Sequence, residues 1–177
     1  MDIKLVSLSE EHTIVFKEEM QEAFQNGFQS YYSTKEEMDG DTNQWQVLPD
    51  KDFYQSLKAK GAEAYEAINE DGKRVGGAII LIDNTTHHGE LAFLYVKVGV
   101  QSKGIGQAIW RTIESMHPEI EVWETCTPYF DRRNIHFYIN CCGFQAVEFF
   151  NEHHPDPNMP EQFDQEDGLF LFKKIIK

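Results

Sequence analysis

The chain has 177 residues, with 30 acidic side chains against 16 Lys and Arg, and a formal net charge of -14 at pH 7. That length suits one domain able to bury a core without disulfide or metal staples, and the charge has the wrong sign for nucleic acid or an anionic membrane surface. The longest apolar runs, such as GGAIILI, fall far short of the ~20 residues of a bilayer-crossing helix, MDIKLVSLSEEH is not a signal peptide, and the odd set Cys126, Cys141 and Cys142 suits a reducing compartment.

A soluble, cytoplasmic protein is therefore expected. In chain order, DIKLVSL alternates Ile3, Leu5 and Leu8 against polar neighbours and reads as a first strand. Ser9 before Glu10 and Glu11 has the form of an N-cap with acids in the first turn. It opens a helix from Glu10 to about Tyr32, with a break expected near Asn26 and Gly27. The polar segment from Ser33 to Asp50 reads as loop or short helix, and Asp50 as the cap of a second helix to about Lys60. EAYEAINEDGKRVGGAIILID predicts two strands about a turn from Asn69 to Lys73, in which Asp71 and Gly72 give the hairpin signal. HHGELAFLYVKV is a third strand of this group.

From Gly104 the period changes. Ile105, Ala108, Ile109, Thr112, Ile113 and Met116 fall on one helix face, and Pro118 stops the helix. EIEVWETC then reads as strand, DRRNIHFYIN as helix, and GFQAVEFF and DGLFLFKKII as the last strands. No repeat or linker divides the chain, so a single domain over residues 1–177 is expected. The class is α/β, an α+β mixed sheet with early antiparallel hairpins and one strand-helix-strand crossover.

A strand that ends in a glycine-bearing loop and passes at once into an amphipathic helix is suited to anions. The first helical N–H groups have no partner inside the helix, and the dipole adds positive potential there. Gly104 and Gly106 let a ligand approach the backbone, and Lys103, Arg111, Arg132 and Arg133 could offset the acidic surroundings. KGIGQAIW lacks the Gly-Lys-Ser/Thr ending of a nucleoside triphosphate loop. A dinucleotide fingerprint is nearer, with Glu124 as the ribose acid ~20 residues on, but Ile109 fills its third glycine place.

VKVGVQSKGIG resembles the acetyl-CoA signature of the GNAT superfamily of N-acetyltransferases, with Val96, Gln101, Gly104 and Gly106 at the motif positions. NIHFYINCCGF resembles the family's second motif, an Asn-opened helix with an aromatic residue ahead of Gly-Phe, and the order of elements resembles that fold from about residue 64. The resemblance implies the GNAT-like acyl-CoA N-acyltransferase fold: a central, mostly antiparallel sheet with one parallel splayed pair and helices on both faces. It implies acetyl-CoA as cosubstrate and no metal. The backbone of Gln101, Ser102, Lys103, Gly104, Ile105 and Gly106 would cradle the pyrophosphate. The main chain of the strand holding Leu94, Val96 and Val98 would pair with the pantetheine arm, and that strand would splay from EVWETC. Asn134 would contact the same arm.

An alkyl amine with a pKa near ~10.4 arrives as an ammonium, so the reaction needs a proton acceptor. The resemblance puts Glu90 in that role, directly or through water, with a backbone N–H around Val96 meeting the oxyanion. Tyr138 would protonate the leaving thiolate. It lies five residues before Gly143, one more than the commoner family spacing. One helical residue turns a side chain by about 100°, so a local bulge must absorb the difference, and Tyr129 is the fallback.

His87, His88, His153 and His154 have no metal-ligand spacing and read as surface residues or as lining of the amine site. Cys141 and Cys142 read as small apolar residues rather than nucleophiles. The expected acceptor is a primary amine of a small molecule or peptide, with a cationic one favoured because Ser33 to Asp50 and Asn151 to Asp167 are acid-rich. A homodimer is possible on such a fold. The competing reading is a non-catalytic acyl-CoA sensor.

Overall fold

The computed structural model describes residues 2–32, 46–100, 104–157 and 168–176. Gln101, Ser102 and Lys103, residues 33–45 of the polar segment and the acidic loop beyond Pro157 lie outside the described residues. The strands are β1 (Lys4–Ser7), β2 (Ala62–Ile68), β3 (Arg74–Asp83), β4 (His88–Val96), β5 (Val122–Pro128), β6 (Gln145–Phe150) and β7 (Leu169–Ile175). They form one seven-stranded sheet in the order β1-β2-β3-β4-β5-β7-β6. β4 and β5 run parallel, while β1/β2, β2/β3, β5/β7 and β6/β7 are antiparallel. The helices are α1 (Thr13–Tyr32), α2 (Asp50–Leu57), α3 (Ile105–Met116) and α4 (Arg132–His136). This is the mixed sheet with helices expected from the order of apolar periods. Among the described residues no helix is long and apolar enough to cross a membrane.

The residues gather into two compact units, Met1–Ile82 with Leu91–His117, and Asp83–Glu90 with Pro118–Lys177. In the first, the hairpin between β2 and β3 turns where the sequence placed it. The Asn69 Oδ1 accepts from the N–H groups of Asp71 (3.0 Å) and Lys73 (2.9 Å). The core joins Phe16 and Met20 of α1, Phe53 of α2, Ile79 of β3 and Tyr95 of β4. Neighbouring residues of a strand face opposite ways. A Cβ on Gly77 would meet the Phe16 ring at 2.4 Å, and one on Gly76 would lie 3.2 Å from Ile109 Cδ1. α1 and α3 therefore pack on opposite faces of β3, and the glycine pair lets both come close.

Four local expectations are corrected in this unit. Ser9 makes no side-chain cap; its carbonyl accepts from the His12 N–H and the Thr13 hydroxyl, both at 3.1 Å, so Glu10–His12 is a 3-10 turn ahead of α1. α1 does not break at Asn26 and Gly27. A mid-helix glycine costs only ~1 kcal/mol relative to alanine, less than the burial of Phe16, Met20 and Phe28 supplies. Asp50 is the first residue inside α2, not its cap, and its carboxylate takes bonds from Lys17 Nζ (3.1 Å) and Gln21 Nε2 (2.6 Å) of α1. α2 ends at Leu57 rather than near Lys60.

In the second unit the last strand in sequence lies between two earlier ones. β7 pairs with β5 from Pro128↔Leu169 to Val122↔Ile175 and with β6 from Phe150↔Leu169 to Gln145↔Lys173. Trp123, Phe130, Tyr138, Phe144, Phe150 and Phe172 are its buried aromatic residues. The helix expected over DRRNIHFYIN is α4 followed by a π-helical turn, Phe137–Cys141. There the Cys142 N–H reaches back five residues to the Phe137 carbonyl at 3.0 Å.

Candidate active site

β4 ends at Val96, so Leu94 and Val96 stand in the strand as expected and Val98 does not. The Lys97 N–H still donates to the Val75 carbonyl (2.8 Å), after which the Val100 N–H bonds the Lys97 carbonyl (3.3 Å) and closes a turn. Tyr95 points into the core, edge-on to Phe16, and its hydroxyl donates to Glu19 at 2.9 Å. Its neighbours Leu94 and Val96 therefore face the other side. Gly104 is the N-cap of α3 at φ 93 and its carbonyl accepts from the Ala108 N–H at 2.9 Å. Nothing lies within 4 Å of where its Cβ would be, so the left-handed backbone, not crowding, calls for glycine. Ile105 is buried and anchors the first turn, in which Gly106 follows. Arg111 lies two turns further along α3 and is exposed.

Glu90 closes the parallel ladder, which comprises His88↔Val122, Gly89↔Trp123 and Glu90↔Glu124. Glu124 is in turn the register partner of Lys173, whose Nζ lies 3.2 Å from its Oε1. Register partners share a sheet face, so Glu90, Glu124 and Lys173 form a row. Glu90 is exposed, yet partial loss of water around its carboxyl, with the charge of Glu124 second, raises its pKa from the ordinary carboxylate value. Cys126 is two residues beyond Glu124 on the same face. Desolvation, then the charges of Glu90, Asp156 and Glu124, push its thiol up to about 12, so it stays protonated although part of the residue reaches the surface.

Asn134 sits in α4 with its amide engaged. Its Nδ2 donates to Asp131 Oδ2 (2.8 Å) and its backbone N–H to Asp131 Oδ1 (3.0 Å), so Asp131 both caps the helix and orients Asn134. Tyr138 lies in the π-helical turn, the bulge that its spacing to Gly143 required. Its ring packs on Phe144 and Phe172, each at 5.8 Å, and its hydroxyl shares a hydrogen bond with the Thr125 side chain. Burial outweighs that bond and raises the phenol's pKa, keeping the group protonated. Tyr129, the fallback, is exposed and packs edge-on against Phe130.

The sequence reading did not find Asp131, Thr125 or Lys173. Asp131 carries a cap signal, an acid three residues before Asn134 at a helix start, whereas Thr125 and Lys173 become partners only through strand register. Glu124 reads from the sequence only as the ribose acid of a dinucleotide site. Arg132 and Arg133 are exposed on α4, as are His87, His88, His153 and His154. His154 Nε2 contacts Glu148 at 2.9 Å and His153 Nε2 contacts Glu152 at 3.2 Å. Cys142 is buried, as a small apolar residue would be. Among the described residues no group of three or more His, Cys, Asp or Glu side chains could hold a metal ion.

A family model described as Acetyltransferase (GNAT) family matches residues 17–144. A curated relative, the uncharacterized protein YrkN of Bacillus subtilis (strain 168), is 42% identical over 145 residues, covering 78% of each chain. A solved GNAT family acetyltransferase from Elizabethkingia anophelis with acetyl-CoA bound is similar with a TM-score of 0.65, at 14% identity over 98% of both chains. The spermidine N-acetyltransferase from Vibrio cholerae, in complex with CoA and spermine, is similar with a TM-score of 0.62 at 11% identity, covering 98% of this chain and 95% of that one. At such identities the two structural likenesses speak for the fold.

Proposed function

Because the chain belongs to the GNAT family of acetyltransferases, acyl transfer is its chemistry, and we propose that it moves the acetyl group of acetyl-CoA directly onto a primary amine. The observation that carries this reading is Gly104, a left-handed N-cap that begins α3 just after the end of β4 and its turn. In this reading the pyrophosphate rests on the backbone from Gln101 to Gly106, where helix-terminal N–H groups favour an anion. The pantetheine arm runs along the main chain of Leu94 and Val96, with Val98 beside it from the turn. Asn134, held by Asp131, bonds the arm.

Glu90 takes the ammonium proton, through water, and the freed amine attacks the thioester carbon. A carboxylate of raised pKa is a stronger base, which suits it to the task. The oxyanion is met by the backbone N–H of Val96, the C–S bond breaks, and Tyr138 donates its proton to the departing sulfur. Among acceptors, a cationic small molecule or peptide amine suits a chain of net charge -14. The whole chain works as a single transferase domain in the cytoplasm, as a monomer or homodimer.

The test is a calorimetric titration with acetyl-CoA followed by a panel of amines, with release of the CoA thiol as the signal. Binding together with amine-dependent thiol release is expected. A folded sample that binds no acetyl-CoA would overturn the reading, and one that binds it but releases no thiol with any amine would leave only an acyl-CoA sensor.

A further inference from the structure

Building on the reading of Glu90 as proton acceptor, we infer that Glu124, held by Lys173, is a positioning residue that sets the pH at which Glu90 can accept a proton. The two carboxylates occupy the last register pair of the β4–β5 ladder and share a face. Neighbouring strands lie about 4.8 Å apart, which leaves like charges side by side at the edge of the pairing. Lys173, on the next strand of the same row, holds Glu124 by its 3.2 Å ion pair. The row thus reads negative, negative, positive, and Glu124 stands between a like and an unlike neighbour.

Each member acts with a defined sign. A like charge beside a carboxylate favours its protonated form, so Glu124 makes Glu90 hold a proton to higher pH. Lys173 opposes this by offsetting part of the Glu124 charge. Among the described residues of the same unit, the other titratable groups that register places on this face are His88, two residues earlier on β4, Cys126, two residues later on β5, and Glu148 of β6, the partner of Leu171, whose carboxylate contacts His154 Nε2 at 2.9 Å. Asp156, after β6, acts on the Cys126 thiol. Cys126 is protonated and His88 bonds the Thr86 carbonyl through Nδ1 (3.2 Å). None of these is paired in register with Glu90, which leaves Glu124 as the cross-strand neighbour that adjusts it. A base that kept the ordinary carboxylate affinity would draw the amine proton weakly at neutral pH. The second carboxylate corrects this without touching the substrate.

Two substitutions should push in opposite directions. In protein labelled with 13C at the glutamate carboxyls, with E90Q identifying the Glu90 signal, the Glu90 midpoint should fall in E124Q and rise in K173M. With acetyl-CoA saturating and the fastest acceptor of the amine panel, kcat/KM at the foot of the acid limb, relative to its plateau, should rise roughly threefold in E124Q and fall in K173M. That factor is what a unit charge about 5 Å away exerts in a water-rich setting. Should E124Q not fold, K173M carries the same test with the opposite sign. An unmoved Glu90 midpoint in the folded variants overturns the inference. A midpoint that moves while the acid limb stays put overturns the assignment of Glu90 as proton acceptor instead, so the two failures are distinguishable. A merely structural role for Glu124 would alter stability and leave the midpoint in place.

Discussion

Gly104 shows how much one residue can decide. Its φ of 93 lies where a side chain strains the backbone, and open space around it means that the strain is conformational rather than steric. Gly104→Val should therefore cost about 1–2 kcal/mol of folding stability in chemical denaturation. It should also weaken acetyl-CoA binding by roughly tenfold or more in calorimetry, because the helix-terminal N–H groups are misaimed. A variant that loses stability but keeps its affinity would remove Gly104 from the cradle. This glycine was legible in the sequence because its signal is local: a strand, a polar knuckle and a helix period follow one another within twenty residues. Thr125 and Lys173 were not legible for the converse reason, since each gains its partner from a strand or turn remote in sequence.

Among elements, the π-helical turn and the network under β4 are the most informative. The spacing of Tyr138 to Gly143 announced one surplus residue, but helix periodicity does not say whether such a residue is absorbed or turns the face away. The turn absorbs it, and Tyr138 ends buried against Phe144 and Phe172. Tyr138→Phe should lower kcat while leaving the KM for acetyl-CoA unchanged. Losing the bond with Thr125 should cost about 1 kcal/mol, read from the thermal midpoint. If kcat is untouched, the leaving sulfur finds its proton elsewhere.

The network joins three elements of the first unit. Arg74 of β3 donates to Glu19 of α1 through Nε (2.7 Å) and Nη2 (2.9 Å), and to Glu66 of β2 through Nη1 (2.8 Å). His12 Nδ1 approaches Glu66 at 3.0 Å, and Lys97 Nζ lies 3.4 Å from Glu19. Burial alone would raise the pKa of Glu19, but the bonds from Arg74 and Tyr95 and the charges of Arg74 and Lys97 outweigh it and hold it below the usual range. A carboxyl depressed in the folded state stabilises above its unfolded pKa of about 4.3, and that contribution is lost as pH falls through the folded value. Arg74→Met leaves two buried carboxylates without their guanidinium and should destabilise by about 3–5 kcal/mol at pH 7. The gap to the parent should narrow in urea titrations below about pH 4, as Glu19 becomes protonated in both proteins. A gap that does not change with pH would mean that packing, not charge, holds these elements. Nothing local in the sequence marks this network, because Glu19, Glu66 and Arg74 meet only across α1, β2 and β3.

At the scale of the molecule, the net charge of -14 acts over distances that no single contact spans. Exposed charges are screened beyond a Debye length of about 10 Å at 0.1 M salt, so long-range attraction of a polycationic acceptor should fade as salt is added. The KM for the fastest cationic amine of the panel should rise several-fold between about 0.01 M and 0.5 M salt, while the anionic acetyl-CoA shows no such loss. An acceptor KM indifferent to salt would end the argument for a cationic substrate. The order of elements along the chain could be read from apolar periods, and it led to the family. The strand order could not, because β6 and β7 each read as a last strand and nothing local says which lies beside β5.

The place of β7 bears on how the protein is made. A ribosome delivers β5 and β6 well before residues 169–175, yet β7 is the strand that separates them in the finished sheet. Until it emerges, the nascent chain carries β6 without the strand it pairs with. The sheet of the second unit can be completed only when this final strand pairs with β5 on one side and β6 on the other.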